Sequence, residues 1–91
     1  MDYSKKQLES IEKMASVYMT ITDIANILDV PADVLREDIS TRDHPARKAY
    51  NGGKSASKLK LRAQEMKLAQ VGSPLALENC MKALIEMEDD E

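Results

Sequence analysis

The sequence predicts an all-α protein: an N-terminal tri-helical helix-turn-helix unit followed by a C-terminal antiparallel helical hairpin. Three observations carry that expectation. Apolar residues recur at three- and four-residue steps along most of the 91 residues. No segment alternates with period two over a useful length. Pro31, Pro45, Gly72 and Pro74 punctuate the chain where a helix would have to stop or start.

Leu8, Ile11, Met14 (or Ala15) and Tyr18 mark one face of a first helix from about Ser4 to Met19. Thr20 interrupts it, and Thr22 stands as the N-cap of a second helix that runs to Leu28, with Asp23 favouring its positive end. Pro31 forbids continuation after Asp29-Val30. A third helix spans Ala32 to about Ser40, with Val34, Leu35 and Ile39 apolar. His44-Pro45 is the next break, Pro45 suiting the first position of a new helix.

From Pro45 to Val71 the pattern is helical and mostly polar, with an expected interruption at Asn51-Gly52-Gly53. Ala56, Leu59, Ala63, Met66 and then Ala69 or Gln70 form a narrow coiled-coil-like seam, and Leu61 and Leu68 lie on a neighbouring stripe. Unbroken, this element would be on the order of 40 Å long. Gly72 ends it, and Ser73-Pro74 supplies the N-cap and first residue of a last helix. That helix is expected to turn Leu77, Cys80 or Met81, Leu84 and Ile85 inward and to fray into Glu88–Glu91. The organisation read from these breaks is a helix-turn-helix unit over 1–43 and a hairpin with an acidic tail over 44–91.

The specific pattern within residues 23–39 is DIANILDVPADVLREDI. Ala25 is the small residue needed where two helices cross, Val30 the apolar residue of the turn, and Leu35 the apolar residue ten positions after Ala25. Ile24, Leu28 and Ile39 complete a buried side. Asp29 stands where such modules usually carry glycine for a left-handed turn, a conformation that aspartate tolerates better than most residues. The outward positions of the third helix are Ala32, Asp33, Arg36, Glu37 and Ser40, so base readout by this helix meets two acids.

Composition narrows the chemistry. One cysteine, Cys80, excludes an internal disulfide or a cysteine-only metal site, and one histidine, His44, excludes a histidine pair. Three glycines leave no glycine-rich phosphate loop, and no cofactor motif is present. No apolar run suits a membrane span and no secretory h-region is visible, so the expectation is a non-enzymatic, cytoplasmic protein. With no Trp or Phe and 32% charged residues, the core is thin, which favours self-association. Cys80 reads as a small buried hydrophobe, His44 as a loop or capping residue, and the methionines as core fillers.

Charge is segregated. Residues 1–35 sum to −3, residues 36–67 to +5 and residues 68–91 to −5. A basic middle suggests a polyanion-facing segment, the alternative being one solvated helix face. Asp33 and Glu37 offset Arg36, whereas Arg42, Arg47 and Lys48 cluster where Pro45 starts the fourth helix. Backbone-dominated contact with double-stranded DNA is therefore expected from Arg36, Arg42, Arg47 and Lys48, with Ser40 and Thr22 beside them. First-turn N–H groups of the fourth helix are expected to assist in holding phosphate. Self-association is expected through Ala56, Leu59, Ala63 and Met66.

The run Ala46-Arg-Lys-Ala-Tyr50-Asn-Gly-Gly-Lys54, then Leu61-Arg62, then Leu68-Ala69-Gln-Val-Gly72-Ser-Pro74-Leu-Ala76 has a recognisable layout. Following a helix-turn-helix, it resembles the small terminase subunits of phages and their prophage relatives, over roughly residues 20–87. The resemblance implies a DNA-recognition component of viral genome packaging that assembles into a ring. Such a component hands DNA to a separate large terminase motor subunit, in the bacterial host cytoplasm. Two other classes fit the same residues. One is a dimeric helix-turn-helix transcription regulator; the other is a structural or interaction protein that uses the tri-helix for protein contacts.

Overall fold

A computed structural model describes residues 1–91 as five α-helices and no strand: α1 Lys5–Ser16, α2 Ile21–Leu28, α3 Ala32–Ser40, α4 Pro45–Gln70 and α5 Pro74–Asp90. They divide into two compact units, residues 1–57 and 58–91. No helix is long and apolar enough to cross a membrane.

The helix ends follow from local chemistry. Ser4 caps α1 and closes a capping box with Gln7: the Gln7 N–H donates to Ser4 Oγ at 3.1 Å, and the Ser4 N–H donates to Gln7 Oε1 at 2.8 Å. The cap of α2 is Thr20, not Thr22; Thr20 Oγ1 accepts from the Asp23 N–H at 3.1 Å. Of the two threonines only Thr20 has the extended backbone that lets a hydroxyl reach an amide three residues on, and Thr22 lies within the first turn. Ser73 caps α5 in the same manner, with Pro74 behind it.

One residue in the left-handed region terminates α1, α2 and α4: Tyr18 at φ 65°, Asp29 at φ 58° and Gly72 at φ 99°. In each case the next residue donates back into the last turn: Met19 to the Met14 carbonyl at 3.2 Å, Val30 to Ala25 at 3.0 Å and Ser73 to Leu68 at 3.1 Å. Asp29 thus performs the turn the pattern demanded of a glycine. Tyr18 corrects an expectation. It lies beyond α1, which stops at Ser16, and it is exposed rather than on the buried face.

Ile11, Ile24, Ala25, Leu35, Ile39 and Ala46 form the core of the first unit, with Leu8, Met14, Leu28, Val30, Ala49 and Tyr50 packed against it. Three of these, Ile11, Ile24 and Leu35, are large and wholly buried. The contribution of α4 was not expected, because Asn51-Gly52-Gly53 reads as a break. The helix instead runs unbroken through it. Gly53 is buried where α4 crosses α1: a Cβ there would overlap the Glu12 carbonyl oxygen and lie 3.1 Å from the Ala15 Cβ. The glycine is a contact surface, not a hinge. Consequently the first unit extends to residue 57, past the 43/44 break suggested by His44-Pro45.

The second unit is built differently. Lys58 and Arg62 each reach Glu86 at 3.1 Å, and Asn79 Nδ2 donates to Glu65 Oε2 at 3.5 Å. Ala76 is its one buried residue, and Arg62, Glu65, Ala69, Asn79, Cys80 and Ala83 are half-buried. Of Leu77, Cys80 or Met81, Leu84 and Ile85, only Cys80 turns inward as expected; the others are 50–60% exposed. The contact stripe between the helices is taken by alanines and by long polar side chains. The larger apolar residues are left on the flanks.

The two adjacent glycines separate contact from propensity. Gly52 has no atom within 4 Å of an added Cβ. Gly52→Ala is therefore expected to raise stability by about 0.5–1 kcal/mol through helix propensity alone. Gly53→Ala is expected to lower it by about 1–3 kcal/mol, because α1 and α4 must move apart. All three tyrosines lie in residues 1–57, so urea denaturation followed by tyrosine fluorescence reads this unit. Equal effects of the two substitutions would contradict the crossing.

Candidate nucleic-acid interface

The polar surface that includes the proposed DNA-contacting residues is built on α2, α3 and the start of α4, all in the first unit. Arg36 projects from α3, and its Nη2 donates to Thr22 Oγ1 on α2 at 3.2 Å. One turn on, Ser40 Oγ donates to the Arg36 carbonyl at 2.9 Å. The Ser40 carbonyl in turn accepts from Arg47 Nη1 at 3.2 Å. Thr22, Arg36, Ser40 and Arg47 thereby form one hydrogen-bonded line over three helices. Arg47 serves the end of α3 as a C-terminal cation that satisfies a free carbonyl.

Arg42 and Lys48 are exposed, and neither joins an ion pair or a side-chain hydrogen bond within the chain. Arg42 sits in the Thr41–His44 turn and Lys48 in the first turn of α4. On this surface they are the cations without a partner within the chain. Asp33 and Glu37 are exposed on α3 between them and the start of the helix, so the face is mixed in sign.

The expectation that first-turn amides of α4 hold phosphate is corrected. Pro45 has no N–H. The Ala46 N–H donates to His44 Nδ1 at 3.0 Å and Ala46 is wholly buried, while the Lys48 N–H donates to the His44 carbonyl at 3.2 Å. His44 thus caps the helix end and takes one of the first-turn amides, that of Ala46. Of the seam residues, Ala56, Leu59, Ala63 and Met66 are all exposed, Leu59 at 71% and Met66 at 57%.

A buried carboxylate supports this surface from below, and sequence reading missed it. Asp38, on the inner side of α3, is 8% exposed. Tyr3 Oη donates to Asp38 Oδ2 at 2.7 Å, the Met1 ammonium lies 3.3 Å from the same oxygen, and His44 Nε2 lies 3.6 Å from Oδ1. The Tyr3 ring meets the His44 ring edge-on, with centroids 5.9 Å apart. Burial works against the Asp38 charge, but the Tyr3 hydroxyl, the ammonium and His44 outweigh it and hold the carboxyl below its ordinary pKa. Burial and the adjoining carboxylate push the Tyr3 phenol upward. The network pins the N-terminal segment, α3 and the turn before α4 together. In sequence, 35 residues separate Tyr3 from Asp38, and no spacing rule connects them.

No family model matches the chain, and no curated protein or solved structure is similar to it.

Because the folded-state pKa of Asp38 lies below its unfolded value, the stabilisation is fully present above the unfolded value of about 4 and is lost as pH falls through the folded one. Asp38→Asn is expected to cost about 1–3 kcal/mol at neutral pH and to flatten the loss of stability on acidification. Denaturation of wild type and variant across pH, read by tyrosine fluorescence, checks both. Parallel pH profiles would show that Asp38 is not the titrating group.

Proposed function

We propose that this chain is a non-catalytic DNA-binding adaptor, with residues 20–40 acting as a helix-turn-helix and residues 58–90 as an assembly hairpin. The observation that carries the reading is the line Thr22–Arg36–Ser40–Arg47 with Arg42 and Lys48 unpaired beside it. Two cations without internal partners, flanked by hydroxyls, suit the phosphate backbone of double-stranded DNA more than base edges. The acids Asp33 and Glu37 on α3 fit the same view, since they would repel phosphate if α3 lay deep in the major groove. Affinity then comes from repetition of a weak contact in an oligomer.

The packaging role, as a small terminase-like subunit passing DNA to a large motor subunit, rests on the likeness of residues 46–76 to that family's pattern. A dimeric transcription regulator is the second reading. The exposed apolar residues of the second unit favour it, because a self-complementary face suits pairing by twos. Gel-shift assays against the packaging region and against promoters of the same genome separate the two.

Arg42→Ala combined with Lys48→Ala removes no contact within the chain, so it tests binding without unfolding. The expected result is a weaker complex whose salt dependence falls by about two units per protomer, with little change in sequence preference. Asp33→Ala with Glu37→Ala is expected to bind at least as tightly as wild type. Unchanged affinity and salt slope in the double cation variant would remove the reading.

A further inference from the structure

In the second unit, exposed apolar side chains lie on two flanks, one broader than the other. At about 100° per residue, Leu59, Ala63 and Met66 fall within one narrow arc of α4, a quarter-turn from Arg62 and Glu65, which bond to α5. Leu77, Met81 and Leu84 fall within a similar arc of α5, a quarter-turn from Ala76 and Asn79. The contacts Lys58–Glu86 and Glu65–Asn79 set the two helices antiparallel, and with that sense both arcs open to the same side. The result is one continuous apolar face, whose five large residues are 50–71% exposed. The opposite flank, Leu61, Leu68 and Leu75, is narrower and includes Lys82.

We propose that a second copy of this chain covers that face, the two hairpins closing a four-helix bundle about a two-fold axis parallel to the helices. Charge selects this partner and this arrangement. Residues 58–70 of α4 carry four cations against Glu65, and residues 74–91 carry Lys82 against six acids. The axis places the basic α4 of one copy over the acidic α5 of the other, and every neighbouring pair of helices is antiparallel. Turning one hairpin end over end would stack α4 on α4 and α5 on α5, like charge on like. At the rim the chosen arrangement brings Lys60 to the level of Glu88 in the other copy. The inference deepens the assembly part of the reading above, favouring the dimeric form over a ring, and does not depend on DNA being the ligand.

Sedimentation equilibrium of the full chain without DNA tests it. The expected mass is twice 10.2 kDa, with dissociation on dilution. Leu59→Glu with Leu84→Glu is expected to yield a monomer whose tyrosine fluorescence still reports a folded first unit, and Leu61→Glu on the opposite flank is expected to remain a dimer. Lys60→Glu is expected to weaken the dimer several-fold, and Lys60→Glu with Glu88→Lys to restore it. A monomer at every concentration, an assembly larger than two, a dimer lost equally in Leu61→Glu, or no recovery in the charge swap would each overturn the proposal. Because DNA is absent, failure here leaves the DNA-binding reading to be judged by its own salt titration.

Discussion

At Gly53 nothing but hydrogen separates the backbone of α4 from the backbone of α1. Much of the rest of the first unit depends on that approach. It lets Ala46, Ala49 and Tyr50 reach the core formed by Ile11, Ile24 and Leu35, so α4 closes the open side of the three shorter helices. It also fixes the start of α4, and with it the positions of Arg47 and Lys48 beside the end of α3. A methyl group at residue 53 would displace the helix whose first turn carries two of the candidate DNA contacts. The absence of one side chain lets α4 pack against α1 at this point.

The two units are stabilised by different means. The first buries three large side chains completely, each worth about 1.5–3 kcal/mol, and satisfies its one buried charge with Tyr3, an ammonium and His44. The second buries only Ala76 and holds its helices with ion pairs exposed to solvent. Lys58 first, then Arg62, keep the Glu86 carboxyl below its ordinary pKa, yet such exposed pairs add little to stability. Most helical stability in proteins comes from a packed apolar face, so the second unit is the part of the chain that the proposed second copy would stabilise. The division of labour proposed above, DNA contact in one unit and assembly in the other, follows the same line.

Much of the fold was legible in the sequence because helix signals are local. Ser73-Pro74, Pro45 and the Ala25, Val30, Leu35 spacing each act over a few residues, and Asp29 takes the left-handed turn its position demanded. Errors arose where a residue's role is set by a distant neighbour. Gly53 has the composition of a breaker, and only the presence of α1 makes it a packing surface. Asp38 looks like another solvated acid until Tyr3 and His44 are brought to it. Leu77, Met81, Leu84 and Ile85 have the period of a core stripe, but period does not say whether the core lies within one chain or between two. Of the candidate site, nothing in the sequence shows that Arg36 bonds to Thr22 or Arg47 to Ser40, since those bonds cross helix boundaries.

On the proposal above, residues 1–57 are stable by themselves, whereas residues 58–90 acquire their stability from a second copy. Amide hydrogen exchange of the full chain at low and high protein concentration tests this directly. Protection of α1, α2, α3 and the first half of α4 is expected to be independent of concentration, while protection of residues 58–90 rises with it. Protection of residues 58–90 that is high and the same at both concentrations would contradict it.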